Sequence, residues 1–74
     1  MSKLPRSLSH NEVERALRRA GFYFKRQKGS HMVMRRDDPY AQVVVPAHRS
    51  IDTGTLAAIL DGAGLTTGEF LELL

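Results

Sequence analysis

The sequence predicts an α+β domain in which a three-stranded antiparallel sheet carries its helices on one face, in the order α-β-β-β-α with a short helix at the C-terminus. Three observations predict it. Two capping boxes, Ser9-x-x-Glu12 and Thr66-x-x-Glu69, open helical stripes near either end of the chain. Between them, residues 22–36 form two short runs of aromatic, apolar and basic side chains around Gly29-Ser30, the composition of a β-hairpin. The third observation is Gln42-Val43-Val44-Val45, a β-branched run that Pro46 ends by removing a ladder donor.

Taken in order, Met1 to Leu8 contains Pro5 and no periodic apolar pattern, so a loose leader is expected there. Ser9 caps a helix of about Asn11 to Ala20, with Val13, Ala16, Leu17 and Ala20 on one stripe and Gly21 as its stop. The hairpin turn is placed at Lys28 to Ser30. Period-two alternation then puts Phe22, Phe24, Met32 and Met34 on a buried face, joined by Val43 and Val45. Tyr23, Lys25, Gln27, His31, Val33 and Arg35 are expected on the opposite face. Asp37-Asp38-Pro39-Tyr40 has turn chemistry. Asp52 or Thr53 caps a second helix of about Thr53 to Ala63, closed by Gly64. No linker or repeat divides residues 1–74, and the whole is read as one domain.

Composition narrows the function. Residues 1–36 hold ten basic and two acidic side chains, a net +8, whereas residues 37–74 hold one basic and six acidic, a net −5. The basic half contains the hairpin, and a polyanion such as nucleic acid would be drawn to it. A chain of 74 residues buries only about 60% of its unfolded surface, which argues against a deep enclosed pocket. Cysteine is absent, so no disulfide or thiolate metal site supports the fold. No apolar run reaches the roughly 20 residues that a membrane span needs, and the expected setting is the cytoplasm.

The candidate for chemistry is His31. Its strand neighbours Met32 and Met34 fill the core, so alternation turns its ring to the basic face, where like-charged neighbours favour the neutral, proton-accepting imidazole. Ser30 is adjacent but projects to the other side, which rules out a Ser-His dyad and leaves it as a turn hydroxyl or a phosphate donor. Lys25, Lys28 and Arg35 are the expected phosphate contacts, and Tyr23 offers a stacking surface for a base. His48, returned toward the hairpin by the third strand, is the second acid-base candidate. His10, His31 and His48 lack close ligand spacing, so neither a metal nor another cofactor is expected.

Gly21-Phe22, Arg26-Gln27-Lys28-Gly29-Ser30-His31, Val43-Val44-Val45-Pro46-Ala47-His48, Gly54-Thr55-Leu56, Ile59-Leu60 and Ala63-Gly64-Leu65 occur in an order and spacing that resemble the HicA toxins of bacterial toxin-antitoxin pairs. The resemblance implies a fold like that of double-stranded RNA-binding domains, ribonuclease activity on messenger RNA, and inhibition by a HicB antitoxin. It also implies that the histidine of Gly29-Ser30-His31 is catalytic. Double-stranded RNA-binding domains usually open their second helix with lysines, whereas this chain has Thr53-Gly54-Thr55-Leu56 there, which favours the sheet as the RNA surface. The expected protein is a metal-independent endoribonuclease toxin. The alternatives are a non-catalytic RNA-binding module of the same fold and a protein-interaction domain docking an acidic partner.

Overall fold

A computed structural model describes residues 3–74. It contains α1 (His10–Arg19), β1 (Tyr23–Lys28), β2 (His31–Asp37), β3 (Tyr40–Pro46), α2 (Thr53–Ala63) and α3 (Thr67–Leu73). The strands form one antiparallel sheet in the order β1-β2-β3. This is the predicted α+β topology.

Local chemistry sets the helix ends. Ser9 and Glu12 complete a capping box on α1, and Thr66 and Glu69 complete another on α3. Asp52 caps α2 by accepting the Thr55 N–H at 2.7 Å, and Gly64 ends the helix in the left-handed region at φ +72°. The stripes expected from periodicity are buried: Val13, Ala16 and Leu17 from α1, and Leu56, Ile59, Leu60 and Ala63 from α2. They pack on Met32, Met34, Val43 and Val45 of the sheet. Phe70 of α3 is fully buried in the same core.

Leu8 departs from the expectation of a loose leader. It is buried, bridges to Ile51 and accepts that residue's N–H at 2.7 Å, while Leu4 packs against the core beside it. The pairing is non-local, so no pattern within the first eight residues announces it. Met1 and Ser2, which belong to the same expected leader, lie outside the described residues.

Arg36 joins three parts of the chain. Its Nε donates to the Pro39 carbonyl at 2.9 Å, Nη1 to Ala20 at 3.4 Å and Nη2 to Ala63 at 3.3 Å. Its guanidinium lies 4.8 Å from the centroid of the Phe22 ring. Ala20 caps α1 and Ala63 ends α2, so one cation meets the negative ends of two helix dipoles. Arg36→Ala should therefore destabilise the protein by about 2 kcal/mol, roughly 8–15 °C in Tm for so small a domain. Arg36→Lys should recover less than half of this, because an ammonium cannot span three carbonyls. Thermal melts of the two variants check the prediction, and equal stabilities would contradict the fork geometry.

Candidate nucleic-acid interface

The hairpin is tighter than its expected three-residue turn. Lys28 pairs directly with His31, which leaves only Gly29 and Ser30 between the strands. Gly29 takes φ +58° while Ser30 stays out of the positive-φ region, the pattern of a two-residue turn with glycine first. The Gln27 side-chain amide donates to the Gly29 carbonyl at 2.9 Å. The Ala47 N–H donates to the Ser30 carbonyl at 2.7 Å, which holds the exit of β3 against the turn.

A β-bulge then changes which side chains share a face. The register runs Phe24 to Met34 and then Arg26 to Val33, so Lys25 is the extra residue. Beyond the bulge Arg26 and Lys28 join His31, Val33 and Arg35 on the open face, whereas Gln27 pairs with the buried Met32. The expected alternation is thus interrupted at Lys25, the unpaired bulge residue, and corrected at Gln27, which belongs to the helix side. Phe24 is also corrected, because it is 41% exposed. It pairs with Met34 on the helix side, but α1 and α2 lie over β3 and leave the β1 edge uncovered.

The expected site residues separate into two groups. At the hairpin end, Arg26, Lys28, Gly29, Ser30, His31, Val33 and Val44 line a shallow, mostly apolar depression of about 570 Å³. His31 is exposed there. At the other end, the Tyr23 hydroxyl donates to both carboxylate oxygens of Asp37 at 3.0 Å. Desolvation, reinforced by that carboxylate, raises the Tyr23 phenol above its ordinary pKa. Arg35 lies 3.7 Å from Asp37 and 5.5 Å from the centroid of the Tyr40 ring. Arg35 lies four residue steps along the strand from His31, about 13 Å. Lys28, Ser30 and His31 are brought together, while Tyr23 and Arg35 form a second station further along the face.

His48 is exposed but does not line the depression. Its carbonyl accepts the His10 N–H at 3.0 Å, which ties the loop after β3 to the start of α1. The His10 ring is held by Glu14 at 2.8 Å. Among the described residues, no three His, Cys, Asp or Glu side chains gather as a metal site, and no helix is long and apolar enough to cross a membrane.

Sequence reasoning missed Arg26 and Val44 as lining residues. Alternation along β3 already puts Val44 opposite in sense to Val43 and Val45, so its exposure was readable. Arg26 was not, because its facing depends on the bulge. The assembled depression can hold a phosphate between cations and offer it one imidazole for proton transfer.

A family model described as the HicA toxin of bacterial toxin-antitoxin matches residues 11–65, from the first turn of α1 to just beyond α2. No curated protein matches the sequence.

Proposed function

The chain belongs to the HicA toxin family of bacterial toxin-antitoxin systems, and from this premise we propose that it is a metal-independent endoribonuclease that cleaves messenger RNA in the cytoplasm until a HicB-like antitoxin blocks it. The observation that carries the reading is the exposed imidazole of His31 beside Lys28 and Arg26 in the depression at the hairpin end. His31 takes the proton from a ribose 2′-hydroxyl. The freed 2′-oxygen attacks the neighbouring phosphorus, the bond to the 5′-oxygen breaks, and the products carry a 2′,3′-cyclic phosphate and a 5′-hydroxyl.

Lys28 and Arg26 offset the charge that builds on the phosphoryl oxygens, and the Ser30 hydroxyl donates to one of them. The leaving 5′-oxygen takes its proton from His48, from Lys28 or from the imidazolium formed on His31. Lys25, Arg35 and Tyr23 hold the RNA strand further along the face. No cofactor enters the reaction. An antitoxin that presents acidic side chains to this face would inhibit in a salt-sensitive manner.

The test is a single 2′-deoxy substitution at the attacked nucleotide of a mapped cleavage site, in reactions containing excess chelator. The unmodified strand should be cut and the 2′-deoxy strand left intact. Cleavage of both strands would overturn the mechanism, and binding with steep salt dependence but no cleavage would identify an RNA-binding module instead.

A further inference from the structure

We propose that Val33 and Val44 form an apolar seat for one unstacked nucleobase beside His31, so that this site takes RNA as a single strand. The inference rests on the reading above in taking RNA as the ligand. The two valines are direct partners across β2 and β3, so their side chains stand together on the open face about 5 Å apart. Val44 is 47% exposed and Val33 9%. Cations alone suffice to hold a phosphate, and a branched aliphatic pair adds nothing to that grip. Val44 gains by covering the flat face of a base, which removes apolar surface of both from water, while Val33, already nearly buried, backs it from the neighbouring strand.

Spacing supports the seat. His31 and Val33 project to the same side of one strand two residues apart, roughly 7 Å, so a base on the valines belongs to a nucleotide next to the phosphate at the imidazole. A paired base is unsuitable, because stacking hides its face and an A-form duplex presents only edges, 2′-hydroxyls and phosphates. A duplex would also need a second grip away from the sheet. The N-terminus of α2 carries the Asp52 carboxylate there, held below its usual pKa by the Thr55 N–H, and its negative charge opposes phosphate at that helix end.

The experiment measures binding by fluorescence anisotropy. One probe is a pentauridylate with 2′-O-methyl riboses, which cannot be turned over, and the other is a ribose-phosphate pentamer of equal charge without bases. Wild-type protein should bind the base-bearing strand about five- to tenfold more tightly. Val44→Lys should bind the abasic strand at least as well as wild type, since it adds a cation, while its preference for bases falls close to unity. Equal affinity of wild type for the two strands would overturn the seat, as would a base preference that survives Val44→Lys. If Val44→Lys keeps that preference and loses only inhibition by the antitoxin, the valines serve a protein partner and the seat is overturned. The underlying reading fails separately: base preference without cleavage of unmodified RNA leaves the seat standing and removes the nuclease.

Discussion

Replacing His31 by alanine is expected to abolish growth inhibition on induction in bacteria and to lower RNA cleavage by about 10²–10⁴-fold, the range of a lost general base. The fold should not register the change. His31 is exposed, its ring contributes nothing to the core, and its backbone pairing with Lys28 and Pro46 is independent of the side chain. Stability should stay within about 0.5 kcal/mol of wild type. RNA binding should persist as well, because Lys28 and Arg26 remain. Growth curves, RNA integrity and a thermal melt of the same preparation check the three parts together. A His31→Ala protein that cuts RNA at the wild-type rate would transfer the base role to His48, whose own alanine variant would then be inactive.

Phe70→Ala should have the largest effect on stability. Phe70 leads the fully buried side chains in volume, and its helix, α3, lies beyond the residues matched by the family model. Removing a buried phenyl ring costs about 3–5 kcal/mol, against a total stability of about 5–15 kcal/mol whose lower part applies to so small a domain. The capping box at Thr66 and the bond from Arg19 Nη1 to the Leu73 carbonyl, 2.8 Å, hold α3 in place but cannot replace that core volume. The expected result is a urea midpoint lowered by half or more, or no cooperative transition at 37 °C. An unchanged midpoint would mean that α3 is dispensable and that the core closes without it.

Residues that obey one period were legible, and those that depend on a distant segment were not. Helix α2 was expected over Thr53 to Ala63 and has those bounds, because its stripe, its cap at Asp52 and its stop at Gly64 are all local. Arg36 stood in the sequence as one more cation of the basic half. Only the folded chain shows it bonded to carbonyls that close α1 and α2. The bridge from Leu8 to Ile51 was hidden for the same reason, since Ile51 lies in another loop, although Leu8 stands where a hydrophobic staple would pack on Val13.

The sequence by itself determined the element order, the apolar stripes, a chain reversal within Lys28 to Ser30 and the placement of His31 on a wet, basic strand. Each of these follows from interactions within a few residues: capping bonds, side-chain period and turn chemistry. Tertiary structure alone decided that Arg26 joins Lys28 beside that histidine. One extra residue at Lys25 inverts the facing of the strand beyond it, bringing Arg26 to the imidazole and turning Gln27 to the helix side. A bulge is fixed by the pairing of two strands, and no property of either strand read alone records it.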